Sequence, residues 1–366
     1  MRYEAISILN SQLNIVVVIT KNIASELESY LSTHKYDKIF VLTDINTREK
    51  CLPYLRSVKA INEAKQITIK AGDTNKNIEQ VSAIWTILSN NGASRNSLLI
   101  NLGGGMVTDL GGFAGATFKR GIHNLNIPTT LMASVDAAVG GKTGINFNGL
   151  KNEIGSFYNP DCVMIDCIFL RTSDIDNRLS GYAEMIKHGL ISDDKNLNDV
   201  LSFDITNNNI DIETLNELVK TSVDIKERIV KEDPKEMGIR KALNFGHTIG
   251  HAFESLSFIK ERPILHGHAV AAGIICEMYL SYKCCELPVE SLRSVTNFIK
   301  EHYPPFIFNC KDYDALYELM PHVKKNEGGH IMFTLLANIG NIRINQIAEK
   351  NLILESLDFY RENMGM

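Results

Sequence analysis

Four of the ten histidines fall between residues 247 and 268, and two of them, His247 and His251, stand four apart in ALNFGHTIGHAFES (242–255). On a helix that spacing turns both rings to one face. There they can form a hydrogen-bonded pair, or serve a metal ion or a reacting molecule together. A metal centre needs at least a third ligand. RLSGYAEMIKHGLI (178–191) has helical spacing, with Glu184 and Lys187 three apart. Alone they read as a surface ion pair, yet Tyr182, Ala183, Met185 and Ile186 leave the segment little polar surface. Glu184, His247 and His266 together would make a His₂Glu set, the open type that leaves a position for substrate and polarises a hydroxyl or carbonyl oxygen. His251 is then the member of the pair that is not a ligand.

A second chemistry is written in glycine. The run LLINL leads into Gly103, Gly104 and Gly105 and then into a helix-like stretch with Val107, Leu110, Phe113, Ala114 and Thr117. Glycine between a strand and a helix lets backbone amides approach a phosphate, and the helix N-terminus favours its charge. It can also be a tight turn only, since the pattern is not G-x-G-x-x-G. Asp44 with Asn46 at an earlier strand end, where a carboxylate can hold ribose hydroxyls, and the Pro128-Thr129-Thr130 turn favour a dinucleotide. No GxxxxGK[ST] loop is present. VDAAVGGKTGINFNGLKNEIGSFYNP (135–160) adds Asp136, Lys142, Lys151 and Asn152, which suit a phosphate or carboxylate ligand or stand as a solvated surface loop.

The elements that must position these groups follow two grammars. In the first half KIFVLTD (38–44), QITIKAG (66–72), SLLINLGGG (97–105) and HNLNIPTT (123–130) end in turn residues, and Ile78, Val81, Ile84, Ile87 and Leu88 repeat with a helical period between them. Alternation of strand and helix predicts an α/β domain with a parallel sheet. From about residue 174 the pattern is mainly α-helical, with one short β-rich run, HIMFTLL (330–336). Two domains are expected, 1–173 for the dinucleotide and 174–366 for metal and substrate, in keeping with 366 residues.

A net charge of −5 and a pI near 6.1 leave no basic surface for nucleic acid. Seven cysteines without a C-x-x-C pair argue against a disulfide framework or a thiolate zinc site and predict a cytoplasmic chain. The apolar core of MRYEAISILNSQLNIVVVIT is too short for a membrane span, and no membrane partner is expected.

NLGGGMVTDLGGFAGATFKRG, IPTTLMASVDAAVGGKTGIN, LKNEIGSFYNP, RLSGYAEMIKHGLI, GIRKALNFGHTIGHAFE and LHGHAVAAG, in this order, resemble the 3-dehydroquinate synthase family of sugar phosphate cyclases over about Asp44 to Gly340. The resemblance implies a dinucleotide-binding N-terminal domain, a helical C-terminal domain, NAD, one divalent metal (zinc, with cobalt as the other candidate) and a homodimer. The reaction it implies is redox-neutral: 3-deoxy-D-arabino-heptulosonate 7-phosphate becomes 3-dehydroquinate and phosphate, in the shikimate pathway. It places metal ligands on Glu184, His247 and His266. NAD contacts fall on Asp44, Asn46, Asp73, Lys76, Gly104, Gly105, Asp109, Thr129, Thr130, Lys151 and Thr172, with Lys142 shared between cofactor and substrate. Substrate contacts fall on Asp136, Lys142, Asn152, Lys187, Lys226, Arg240, Asn244 and His251. Arg120 would reach the phosphate site of a partner subunit, and Lys324 or Lys325 would complete it.

Four positions depart from the family pattern: Asp73 for a glutamate, Ala137 and Ala138 where a serine is usual, His268 for the glutamate of HGEAV, and Val323 for an aspartate. They keep open a paralogous cyclase with another sugar phosphate, against which Arg240, with its planar fork, and Asn244 argue by suiting a carboxylated substrate. Two further readings are a metal-dependent alcohol dehydrogenase, which would release NADH, and a catalytically silent ligand-binding relative.

Overall fold

The computed structural model describes residues 6–10, 15–148, 150–234, 236–320 and 331–366. Val323, Lys324 and Lys325 lie outside the described residues. Contacts divide the chain into two compact units, Met1–Asp174 with Asn208–Val223, and Ile175–Asn207 with Asp224–Met366.

The first unit is an α/β layer built on a seven-stranded sheet. Its strands are β1 (Ile6–Asn10), β2 (Ile15–Ile19), β3 (Ile39–Asp44), β4 (Lys65–Ile69), β5 (Leu98–Gly103) and β6 (His123–Pro128), followed, after a separate antiparallel hairpin of β7 (Lys142–Phe147) and β8 (Leu150–Phe157), by β9 (Cys162–Ile165). The order is β1-β2-β9-β6-β5-β3-β4. Only β1 runs antiparallel; the other six strands are parallel. Helices α1 (Ile23–Thr33), α2 (Ile45–Lys50), α3 (Lys59–Glu63), α4 (Ile78–Asn90) and α5 (Gly105–Thr117) connect the strands.

Both faces of the sheet are covered, which is why its strands read as unbroken apolar runs. Val41, Leu98, Ile100, Leu102, Leu125 and Met164 pack with Ile23 and Leu27 of α1 on one side. Phe40, Leu42, Ile67 and Leu99 pack with Val81, Ile84 and Leu88 of α4 and Val107 and Leu110 of α5 on the other. After β3 the chain turns to β4 at the edge, and after β5 it turns the opposite way to β6. The switch point therefore lies between the carboxyl ends of β3 and β5, where open α/β sheets bind ligands.

The second unit contains α6 (Ile175–Leu190), α7 (Asp194–Leu201), the last part of α8 (Ile212–Glu232), α9 (His247–Ile259), α10 (His266–Cys285), α11 (Val289–His302), α12 (Tyr313–Leu319), the hairpin β10 (Met332–Asn338) and β11 (Asn341–Ile347), and α13 (Lys350–Asn363). Helix α10 is central: Gly267 through Ser281 are all buried, and α6, α9, α11, α13 and β10 pack around it. A helix buried on every side over such a length is an interior one. Among the described residues no helix is long and apolar enough to cross a membrane.

The expected strands at 38–44, 66–72, 97–105 and 123–130 are β3 to β6, and the helical period from Ile78 is α4. Within 135–160, expected to be either a phosphate or carboxylate site or a solvated surface loop, Lys142–Phe147 and Leu150–Phe157 form the β7–β8 hairpin, whose close register at Gly144 and Gly155 admits no side chain: a Cβ on Gly155 would fall 2.2 Å from the Thr143 carbonyl oxygen.

Candidate active site

Each unit carries a cluster of the expected residues. In the first, β3 ends on Asp44, whose Oδ1 accepts the amides of Asn46 and Thr47, both at 2.8 Å, while Thr47 Oγ1 accepts Asp44 N at 3.0 Å. This capping box starts α2 and leaves the second carboxylate oxygen out of the cap. At the end of β5, Gly104 is the N-cap of α5 and supplies no side-chain bond, so the first amides of a thirteen-residue helix are left without a side-chain cap among the described residues. The approach to them is kept bare by sequence: a Cβ on Gly103 would lie 2.5 Å from Val107 Cβ, and one on Gly104 3.0 Å from Thr130 Cγ2. Thr129 N donates to the Gly103 carbonyl at 3.0 Å, tying the two turns together. An uncapped helix start lined by glycine and threonine hydroxyls fits a pyrophosphate.

Lys76 is almost fully buried, with Nζ 2.6 Å from Asp109 Oδ2 and bonded also to Asn152 Oδ1 on the β7–β8 hairpin. Lys151 of the same hairpin lies 3.5 Å from Asp73, and Asn146 N donates to the Lys76 carbonyl at 2.7 Å. The hairpin is thus laced to residues 73–77, which joins the expected cofactor residues Asp73, Lys76, Asp109 and Lys151 to the expected substrate residue Asn152. Lys142 lines a small cavity with Thr108, Asp109, Asn126 and Tyr158. Thr172 donates to the Phe169 carbonyl at 2.7 Å and meets Cys51 Sγ at 3.5 Å. Asp136 sits half-buried between β6 and β7, and Arg120 is exposed on the turn after α5, with φ 66°.

In the second unit α6, α9 and α10 bring Glu184, His247 and His266 together. Glu184 is fully buried; its Oε1 stands 3.4 Å from His247 Nε2 and 3.6 Å from His266 Nε2. Both imidazoles are held by their other nitrogen, His247 Nδ1 against the Phe245 carbonyl at 3.1 Å and His266 Nδ1 against Glu254 Oε2 at 3.1 Å. Each ring therefore presents Nε2 to one point, the arrangement in which a second partner orients a metal-binding histidine. Glu184 Oε1 is buried without a hydrogen-bond partner among the described residues. Tetrahedral coordination with bonds of about 2.1 Å has edges of about 3.4 Å, and the two edges from Glu184 Oε1 match it.

The electrostatics agree. Burial penalises the Glu184 charge, but Lys187, His247 and His266 hold its carboxyl well below the usual range. Burial also opposes charge on His266, yet Glu184 and Glu254 outweigh it and push the imidazole up to about 10. Burial, with Lys187 and His266 adding to it, outweighs Glu184 at His247 and holds that imidazole below its usual value, so the positive charge in the pocket is favoured at His266.

His251, one turn beyond His247, has its ring 5.2 Å from that of His247 and 5.4 Å from that of His266. Its ligand atom and theirs lie within 4.8 Å of one another, so proximity does not separate it from them. His268 is engaged elsewhere: its Nε2 meets the Asp176 carbonyl at 3.2 Å and its ring meets the edge of Tyr303. Lys187 is buried against Glu184 Oε2, and Lys226 is buried on α8. Arg240 donates to the Pro234 carbonyl at 2.8 Å, and Asn244 donates to Glu236 at 2.9 Å. Asp233 accepts the amides of Met237, Gly238 and Arg240 and so shapes the turn that carries them. Glu236, Asp233 and Glu254 were not singled out by spacing; only Glu254, seven residues after His247 on one helical face, left a readable signal.

The 3-dehydroquinate synthase N-terminal domain model matches residues 66–179 and the C-terminal domain model residues 181–326. The chain is 67% identical over 350 residues to a 3-dehydroquinate synthase of Parabacteroides distasonis, covering 96% of this chain and 99% of that one. The chain belongs to the 3-dehydroquinate synthase family. Among solved structures it is similar to 2-deoxy-scyllo-inosose synthase complexed with carbaglucose-6-phosphate, NAD+ and Co2+ (TM-score 0.83, 21% identity, 98% of this chain and 99% of that chain). It is also similar to 2-epi-5-epi-valiolone synthase from Streptomyces hygroscopicus with NAD+ and Zn2+ bound (TM-score 0.82, 22% identity, 99% of each chain). At that identity the likeness establishes a fold shared between the 3-dehydroquinate synthase family and these cyclases.

Proposed function

We propose that this chain is a 3-dehydroquinate synthase that converts 3-deoxy-D-arabino-heptulosonate 7-phosphate to 3-dehydroquinate and phosphate, using NAD catalytically and one divalent metal, zinc. The observation that carries the reading is the buried Glu184 Oε1, without a hydrogen-bond partner among the described residues and facing Nε2 of His247 and of His266, in a chain of this family. When bound, the metal supplies Lewis-acid polarisation of a substrate oxygen and the dinucleotide a reversible hydride sink. The NAD domain comprises residues 1–173 and the metal and substrate domain 174–366, except that 208–223 packs with the former.

The work of the protein is then mostly positioning and electrostatics. Asp44, Asn46, Asp73, Lys76, Asp109, Lys151 and Thr172 hold the cofactor, with Gly104, Gly105, Thr129 and Thr130 around its pyrophosphate. Arg240 and Asn244 hold the substrate carboxylate end, as a guanidinium fork suits a carboxylate. Asp136, Lys142, Asn152, Lys187 and Lys226 surround the reacting carbons. His251 meets the substrate near its phosphate and moves a proton there. Arg120 from a partner subunit and Lys324 or Lys325 bind the phosphate, which makes the working unit a homodimer, placed in the cytoplasm.

The deciding assay combines purified protein, substrate, NAD and zinc, and follows phosphate, NADH and product together. Phosphate and 3-dehydroquinate should form without accumulation of NADH. NADH growing in proportion to turnover moves the chain to a dehydrogenase. No phosphate release from this substrate, with release from another sugar phosphate, moves it to a paralogous cyclase.

A further inference from the structure

Glu277 lies in the middle of α10, completely buried, with no place in the chemistry above. A carboxylate in such a position has to be met by donors. Its Oε2 accepts Gly246 N at 2.7 Å and its Oε1 accepts Ile249 N at 3.1 Å. Those amides bracket His247 at the start of α9, whose own N-cap residue, Gly246, supplies no side-chain bond. The first turn of a helix leaves amides without partners and carries partial positive charge, so a buried carboxylate from the neighbouring helix answers both needs.

The rest of that turn is equally constrained. His247 Nδ1 is held on the Phe245 carbonyl at 3.1 Å. Gly246 is left-handed at φ 77°, and a Cβ there would fall 2.5 Å from Ile274 Cγ1. Ile274, Glu277 and His266 all belong to α10. The helix that provides one imidazole therefore also grips the turn that provides the other.

We propose that Glu277 is a positioning residue of the metal centre: by binding Gly246 N and Ile249 N it fixes the first turn of α9 on α10, and so sets where His247 Nε2 stands relative to Glu184 and His266. The proposal rests on the reading of Glu184, His247 and His266 as metal ligands.

The test uses full-length Glu277→Gln, which keeps the shape but turns an NH₂ donor toward one of the two amides. Zinc affinity is measured by competition with a chromophoric chelator, geometry by the Co(II) ligand-field spectrum, and stability by unfolding temperature with and without zinc. Zinc should bind about 10-fold more weakly or worse, the Co(II) spectrum should change, and the zinc-induced rise in unfolding temperature should shrink. Glu277→Asp, which keeps the charge on a shorter arm, should fall between, and decides by the same comparison if the Gln variant does not fold. A lower unfolding temperature with wild-type zinc affinity, spectrum and zinc-induced rise makes Glu277 a helix cap only and overturns the proposal. His247→Ala is the control, since full zinc content in that variant rejects the metal reading itself.

Discussion

His247 and His251 are chemically identical and one turn apart, and their surroundings make them different. His247 is nearly buried, with Nδ1 committed to the Phe245 carbonyl and Nε2 beside Glu184; His251 is only half-buried on the same face. His247→Ala should lose the metal, measured by metal analysis, with activity falling alongside. His251→Ala should retain metal and NAD and turn over about 10²- to 10⁴-fold more slowly, the range of a lost proton-transfer group. Parallel metal loss in both variants would make the pair a joint clamp. Glu227 on α8 offers a second prediction. Burial, with Asp224 adding like charge, pushes its carboxyl up to about 7 from 4.5. A raised folded value means that its stabilising contribution is complete below pH 4.5 and is lost as pH rises through about 7, by about 3 kcal/mol in all. Denaturant unfolding between pH 5 and 8 should show that decline in the wild type and a flatter profile in Glu227→Gln.

At the scale of elements, the pairing of α9 with α10 sets the positions of His247 and His266, the proposed metal ligands. The helices approach through glycine: a Cβ on Gly273 would lie 2.1 Å from the Gly246 carbonyl oxygen, and one on Gly250 2.9 Å from that of Ala269. These obstacles are backbone atoms, which cannot rotate aside. Gly273→Ala should therefore push the helices apart, costing about 1–3 kcal/mol as overpacking does, and should weaken zinc binding as well as lower the unfolding temperature. If metal affinity survives at full strength while stability drops, the separation of the helices does not control the site. In the first unit the corresponding element is the β7–β8 hairpin, which is held to residues 73–77 through Asn146, Lys151 and Asn152 and so makes Lys76 a junction between expected cofactor and substrate groups.

For the whole molecule, the division into two units does not follow chain order, because Asn208–Val223 belongs with the first unit. Asn216 within it is buried, and its Oδ1 accepts Cys167 N at 3.1 Å. Asn216→Leu should strand that amide and lower stability by about 1–3 kcal/mol, read by denaturant unfolding; an unchanged midpoint would show that the 208–223 segment is dispensable to the first unit. A boundary near Thr172 is legible in sequence because strand periodicity gives way there to helical periodicity, whereas the return of 208–223 rests on long-range contacts such as Asn216 Oδ1 with Cys167 N and Glu213 with Lys21, and its helical period does not say which unit it joins. The same division runs through the site. Gly103 to Gly105 and the i, i+4 histidines are local features, since turn geometry and helical phase depend on residues a few positions apart, and strand and helix periodicity gave the parallel sheet and the helical second half; Glu184, His247 and His266 could be put forward as a set from their residue types and from the order of the six motifs. Which atoms meet could not: the shared focus of two Nε2 atoms on Glu184, the Lys76 bonds to Asp109 and Asn152, and Glu277 beneath the start of α9 join residues far apart in the chain. Such contacts are decided by close packing of whole helices and strands, where one misplaced Cβ shifts an entire element, and that information resides only in the tertiary structure.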